Sequence, residues 1–114
     1  MSWDIALFPD HPRSRAIIEE NYTFNVNDML VLATRRAGIE VRTDPRTPLR
    51  HLDDLSGPAG AAFLHGIVRE MESDPDAYTE LNPANGWGDY DSFLALLIRL
   101  RNAVPEYPTT WFVA

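Results

Sequence analysis

Both ends of the chain carry a β-strand pattern, and this is the feature that most constrains the fold. Residues 3–8 alternate, and the apolar face of that alternation consists of Trp3, Ile5 and Leu7. Such a pattern is typical of a strand with one buried face. The last segment, Thr109 to Ala114, is rich in residues that favour strands. An unpaired terminal strand would be an exposed edge, so we expect the two ends to pair with each other.

The segment that follows the first strand leaves two interpretations open. Residues 9–12 contain two prolines, which end the strand. Residues 16–18, Ala-Ile-Ile, form either a second short strand in a hairpin or a turn of helix, and we favour the strand. Residues 21–26 then alternate between polar and apolar side chains like the end of a strand.

Helical periodicity covers most of the middle of the chain. It predicts three main helices, at about residues 28–37, 58–72 and 90–103, and one short helix at 75–81. The expected start signals are Asn25 or Asn27, Ser56 or Gly57, Asp74 and Asp89, since these residues cap helix N-termini. Gly38 is the expected left-handed stop of the first helix.

The second main helix has a predicted buried stripe with small residues beside it. The stripe consists of Ala59, Phe63, Ile67 and Met71. We expect the small residues at 59, 62 and 66 to let another element approach closely. Residues 40–55 contain two prolines and scattered charges, so we expect a loop, in which Leu52 and Leu55 dock on the core.

These signals together predict an α+β protein that is mainly helical. We expect three main helices and one short helix, with a small antiparallel sheet that joins the N- and C-terminal strands. The 114 residues and 45% hydrophobic content suit a single domain, residues 1–114, with one core.

The most unusual stretch is the predicted connection between the short helix and the last helix. Residues 82–90 read Asn-Pro-Ala-Asn-Gly-Trp-Gly-Asp-Tyr. A plain connector needs Gly, Pro or Asn, but it does not need Trp and Tyr as well. A second Asn-rich stretch lies at residues 21–25, Asn-Tyr-Thr-Phe-Asn.

These two stretches contain the candidate binding residues. Asn offers a donor and an acceptor without charge, and Trp and Tyr offer stacking faces. The predicted ligand- or partner-binding residues are Asn21, Thr23, Asn25, Asn82, Asn85, Trp87 and Tyr90. The structural interpretation is that these Asn residues cap helices and shape turns, while Trp87 fills the core beneath its loop.

Composition excludes several classes of function. The net charge of −7 argues against general nucleic-acid binding, which needs a basic face. No apolar run approaches a membrane span, and the start of the chain lacks the basic region of a signal peptide, so we expect a soluble cytoplasmic protein. The chain has no Cys, and its three His lack metal-ligand spacing. We therefore predict no catalytic residues, no metal and no cofactor.

The chain resembles a family of small, mostly uncharacterised proteins of bacteria and their phages. The resemblance rests on residues 3–7 (Trp-Asp-Ile-Ala-Leu), residues 21–29, residues 82–90 with Phe93-Leu94, and the β-rich end at 109–114. It covers most of the chain in outline, and the stretch 82–90 is its most specific motif. In the final segment Trp111-Phe112 replaces a more polar alternation. The resemblance implies a phage or mobile-element context and brings no known activity.

Three functional hypotheses follow from these observations. The first is a small non-enzymatic binding protein that engages a host protein or a small molecule through the Asn and aromatic residues. The second is a nucleotide-sequestering protein, whose phosphate contacts would come from Arg42, Arg46 or Arg50. The third is a small hydrolase or transferase that uses His51 or His65 with Asp53 or Asp54. The sequence does not indicate an oligomeric state.

Overall fold

The termini meet in a three-stranded antiparallel sheet, as predicted. The structure is a computed structural model that describes residues 1–11 and 14–114. Its strands are β1 (Ser2–Pro9), β2 (Ile18–Thr23) and β3 (Thr109–Val113), in the order β2-β1-β3. At the centre of the sheet Ile5 lies opposite Glu20 of β2 and Val113 of β3.

The sheet is two-sided because the β1 pattern alternates. Trp3, Ile5 and Leu7 are buried on the inner face, where the helices pack. The hairpin interpretation of the segment after β1 is confirmed, although β2 begins at Ile18 and not at residue 16. The part of that prediction that concerns Pro12 and Arg13 lies outside the described residues.

The helical elements match the predicted number and order. They are α1 (Asn27–Ala37), α2 (Gly57–Ser73), the short α3 (Pro75–Thr79) and α4 (Tyr90–Asn102). Two 3-10 turns, Phe24–Val26 and Pro48–Leu52, precede α1 and α2. The second turn lies within the predicted loop. Leu52 is buried as predicted, Leu55 is partly buried against the core, and Leu49, which was not predicted, is also buried.

The start of α1 differs from the prediction. Neither Asn25 nor Asn27 caps this helix, because α1 continues directly from a 3-10 turn. That turn is capped by Thr23, whose Oγ1 accepts a hydrogen bond from the Asn25 backbone N–H at 3.2 Å. The Asn27 side chain instead donates to the Arg46 carbonyl oxygen at 2.7 Å. The predicted left-handed stop at Gly38 is confirmed by its φ of 66°.

The buried face of α2 is rotated relative to the predicted stripe. Phe63, Ile67 and Met71 are buried as expected, but Ala59 and Ala62 are exposed. Another element approaches closely at Gly66, as expected, where an added Cβ would lie 3.1 Å from Ile39 Cδ1. The approach is closer at Gly60, which was not predicted, where an added Cβ would collide with the Trp111 indole of β3. The buried face is broader than the stripe because Leu64 and Val68 also point inward.

The core lies between the inner face of the sheet and the helices. The contact between α2 and α4 is the most extensive one between helices. Asp89 caps α4 as predicted, since its Oδ1 accepts from the Ser92 backbone N–H at 2.7 Å. In the described part of the chain no helix is long and apolar enough to cross a membrane.

Candidate functional site

The Asn side chains of the loop 82–90 form hydrogen bonds that stabilise the conformation of the loop. Asn82 Oδ1 accepts a hydrogen bond from the Tyr90 backbone N–H at 2.8 Å, which joins the two ends of the loop. Asn85 Oδ1 accepts from the Trp87 backbone N–H at 3.0 Å, the local turn that Asn commonly makes. Since each oxygen already has a backbone donor, these two Asn residues serve the loop conformation.

Tyr90 also has a structural place. Its side chain is only 7% exposed, and its hydroxyl donates to the Met71 carbonyl oxygen at 2.9 Å. Its ring stacks with that of Tyr78, with 6.4 Å between the ring centroids. Burial raises the pKa of the Tyr90 hydroxyl, and the charges of Glu72 and Asp91 add to this. Tyr90 therefore anchors α4 to the end of α2.

Trp87 differs from the buried Tyr90, because it faces solvent. Its side chain is 71% exposed, whereas Trp3 and Trp111 are each 1% exposed. The interpretation of Trp87 as a core residue is therefore wrong. The loop turns outward through Gly86 and Gly88, whose φ angles are 73° and 86°.

Trp87 stands beside the second Asn-rich stretch, at the end of β2. Together they form an open concavity of about 300 Å³, lined by Met1, Ser2, Asn21, Thr23, Asn25 and Trp87. Four of the seven predicted binding residues thus converge on one surface, while Asn82, Asn85 and Tyr90 are outside its lining. Sequence reasoning missed Met1 and Ser2, which enter through the β1–β2 register, with Ser2 opposite Thr23.

Close packing at Gly88 connects the loop to β2. A Cβ at this position would lie 2.7 Å from Thr23 Cγ2 and 3.1 Å from Val26 Cγ1. The Tyr22 hydroxyl reinforces the contact, since it accepts from the Asp89 backbone N–H at 3.2 Å and shares a 2.6 Å hydrogen bond with the Ser92 hydroxyl. The loop 82–90 and the end of β2, which both line the concavity, are therefore held together by direct contacts.

Asn21 defines one wall of the concavity. Its Nδ2 lies within hydrogen-bonding distance of three oxygens, at 2.8 Å from Asp4 Oδ1 and 3.1 Å from both Trp3 O and Ser2 Oγ. These contacts fix the orientation of the amide and leave Oδ1 as an acceptor. Thr23 Oγ1 and the Asn25 amide supply further uncharged polar groups.

A second concave surface continues from the first along the outer face of the sheet. Its volume is about 460 Å³, and Asp4 and Asn21 contribute to it along with Ile5, Ala6, Phe8, Glu19, Glu20 and Phe112. Asn21 lines both surfaces. Phe112 is 51% exposed because it occupies an outward position of β3. The alternation of residues 109–113 carries the signal for this outward position.

The residues of the alternative hypotheses lie in other surroundings. His51 is half-buried against Phe63, and its Nδ1 accepts from the Arg42 backbone N–H at 3.0 Å. Burial lowers the pKa of His51, and the charge of Arg42 lowers it further. His65 Nδ1 lies 3.4 Å from Arg101 Nη1. The contacts described for these two imidazoles thus include no carboxylate.

The nearby carboxylates and the loop arginines are otherwise occupied or exposed. Asp53 Oδ1 accepts from the Val113 backbone N–H at 3.0 Å. Arg46 forms a 2.9 Å ion pair with Asp44, and the backbone of Arg42 contacts His51. Across residues 1–11 and 14–114, no three His, Asp or Glu side chains are arranged to hold a metal ion.

Comparison with known proteins adds no function to this geometry. No protein-family model matches the chain. No curated protein and no solved structure is significantly similar to it. The resemblance to small bacterial and phage proteins therefore stays a prediction, based on the motifs at residues 21–29 and 82–90.

Proposed function

We propose that this protein is a small binding protein that engages its partner through the concavity at the end of β2. The proposal is supported by the arrangement of Asn21, Thr23 and Asn25 around the exposed indole of Trp87. The partner class is a host protein or a small uncharged molecule. The family resemblance adds a phage or mobile-element context to the proposal, which also includes a cytoplasmic location.

The exposure of Trp87 is the observation that carries this proposal. An indole that is 71% exposed contributes little to the core, while Trp is among the residues that contribute most energy at binding interfaces. The loop that presents it contains internal hydrogen bonds at Asn82 and Asn85. Because these hydrogen bonds already order the loop, little conformational entropy is lost when Trp87 binds a partner.

Nucleotide sequestration has weaker support from the same surface. A phosphate group needs Arg, Lys or a set of backbone donors, and the concavity is lined by no basic side chain. The neighbouring outer face of the sheet carries Asp4 and Glu19, which would repel phosphate. Hydrolysis ranks lower still, because the described contacts of His51 and His65 lack the carboxylate that would orient an imidazole.

Capture from a bacterial lysate and thermal-shift screening of uncharged metabolites test the proposal together. We expect the wild-type protein to retain a partner or to be stabilised by a ligand, and we expect Trp87→Ala to lose this effect. Tyr107→Ala is the matched control, because Tyr107 is another exposed aromatic, 54% exposed, outside the concavity lining. Equal capture or equal shifts for wild type and Trp87→Ala would refute the proposal.

A further inference from the structure

The two edges of the sheet differ in whether another part of the chain covers them. The outer edge of β3 is covered by residues 53–56. Asp54 N–H donates to the Trp111 carbonyl oxygen at 3.0 Å, and Trp111 N–H donates to the Leu55 carbonyl oxygen at 2.9 Å. Val113 N–H donates to Asp53 Oδ1 at 3.0 Å. The backbone of β3 is therefore occupied on both sides.

The outer edge of β2 has no such cover. The Phe24 N–H donates to the Met1 carbonyl oxygen at 3.0 Å, so the even-numbered residues of β2 point their backbone groups toward β1. The backbone groups of Glu19, Asn21 and Thr23 consequently point away from β1. None of the hydrogen bonds described between elements uses the N–H or C=O of Glu19 or Asn21. The carbonyl of Thr23 belongs to the 3-10 turn that Thr23 caps, so only its N–H is open on this side. Within the described chain, β2 makes extensive contacts with β1 only.

The outer face beside this open edge carries two carboxylates, Glu19 on β2 and Asp4 on the neighbouring β1, and an exposed indole lies at its end. Glu19 and Asp4 take part in none of the ion pairs found among the described residues, whereas Glu20 is paired with Arg99 at 3.3 Å. The concavity with Trp87 lies where β2 ends. A carboxylate attracts a cationic side chain through space, and an exposed indole face binds one through the cation–π interaction.

We propose that an extended, cationic segment of a partner protein adds to the sheet as a fourth strand along the outer edge of β2. The backbone of that segment would pair with Glu19 and Asn21 and with the N–H of Thr23, and its Arg or Lys side chains would lie beside Glu19 and Trp87. This mode of recognition is β-strand addition, in which backbone bonds supply affinity and side chains supply specificity. The proposal rests on the proposed function, because the same concavity supplies the side-chain contacts.

Charge complementarity favours a cationic partner over a second copy of this chain. Each copy carries a formal net charge of −7, so pairing of two β2 edges would bring two strongly acidic molecules together. A cationic segment is attracted by the same negative charge, and its affinity would fall as salt is added.

A synthetic peptide that alternates Arg and Val is a suitable probe, with two control peptides of the same length. In one control Glu replaces each Arg, and in the other alternate backbone nitrogens are methylated. Amide hydrogen exchange of the full protein is the readout. On addition of the Arg-Val peptide, we expect slower exchange at Glu19, Asn21 and Thr23, with little change at the already paired Glu20 and Tyr22.

Protein variants separate backbone pairing from charge. Glu19→Pro removes one outward N–H at an edge position where Pro is tolerated, and we expect it to weaken peptide binding about tenfold or more. Glu19→Gln keeps the N–H and loses the charge, so we expect a loss of only about threefold. Circular dichroism of both variants checks that the sheet is retained.

Any of the following outcomes would overturn strand addition. They are equal binding of the Glu-Val peptide, equal binding of the methylated peptide, unchanged binding by a folded Glu19→Pro variant, and alternate-residue protection that depends on protein concentration in the absence of peptide. The last outcome would identify a second copy as the occupant.

If the peptide changes Trp87 fluorescence without the alternating protection, strand addition fails and the concavity remains a binding site. If the protection appears and Trp87→Ala has no effect on binding, the edge binds the segment and the role of the concavity fails.

Discussion

At the scale of single residues, Gly88 connects the conformation of the Trp87 loop to the end of β2. Its φ of 86° lies in the left-handed region, and the space beside its Cα is occupied by Thr23 and Val26. Gly86 has a similar φ of 73°, but an added Cβ there would meet nothing within 4 Å. Substitutions at Gly88 and Gly86 can therefore separate the cost of backbone strain from the cost of steric overlap.

We expect Gly88→Ala to lower the free energy of unfolding by about 3 kcal/mol, since it combines strain with overpacking against Thr23. Gly86→Ala should cost about 1 kcal/mol, from strain alone. Urea denaturation of the two variants at neutral pH measures this difference. Equal losses would show that the Gly88 contact with β2 does not hold the loop.

Tyr78 contributes to the way the free energy of unfolding responds to alkaline pH. Burial, followed by the charge of Glu70, raises its pKa from 10.0 to about 12. A folded-state pKa above the unfolded value means that this contribution to stability is complete below the unfolded pKa and is lost as pH rises through the folded one. The chain contains no Lys, so few other side chains titrate in this range.

We therefore expect stability to fall between about pH 10 and about pH 12. Tyr78→Phe should reduce the slope of that loss, because Phe has no proton to release. Tyr90 has a pKa raised in the same direction, so some slope should persist. Thermal unfolding across this pH range provides the measurement, and an unchanged slope in Tyr78→Phe would contradict the account.

At the scale of elements, helix ends and strand faces were the most predictable features. The cap at Asp89, the stop at Gly38 and the burial of Trp3, Ile5 and Leu7 all follow from local chemistry that the sequence displays. The cap of α1 was mispredicted because a 3-10 turn can precede a helix without a separate cap. The rotation of α2 was missed because it depends on where Trp111 packs, which is a tertiary contact.

Asp89 allows a direct test of the predicted cap. Hydrogen bonds from the Ser92 backbone and side chain lower the pKa of its carboxyl group. A lowered pKa means that the contribution to stability is present above the unfolded pKa and is lost as pH falls through the folded one. We expect Asp89→Ala to lose about 1 kcal/mol of unfolding free energy at neutral pH.

The loss in Asp89→Ala should disappear when the medium is acidified below the range where aspartate ionises. Asp91→Ala is the matched control, because Asp91 lies in the same first turn and Asp89 provides the side-chain cap. Denaturation curves at neutral and acidic pH compare the variants. An equal loss at both pH values, or an equal loss in Asp91→Ala, would show that the charged cap is not what stabilises α4.

At the scale of the whole molecule, the meeting of the two Asn-rich stretches is the feature that local patterns could not determine. Residue chemistry identified both stretches as unusual, and four of the seven predicted residues line one concavity. Their convergence depends on the β1–β2 register and on the packing of Gly88 against Thr23. The sequence could not separate Trp87, which is presented to solvent, from Tyr90, which is buried, because both suit a loop next to a core.

Site-specific photo-crosslinking in the cell can show whether a partner contacts Trp87. A photoreactive phenylalanine analogue would replace Trp87 in one variant and Tyr107 in the control, since both side chains are exposed. We expect a discrete crosslinked product at position 87 that is absent at position 107. No product at position 87, or the same products at both positions, would contradict the proposed function.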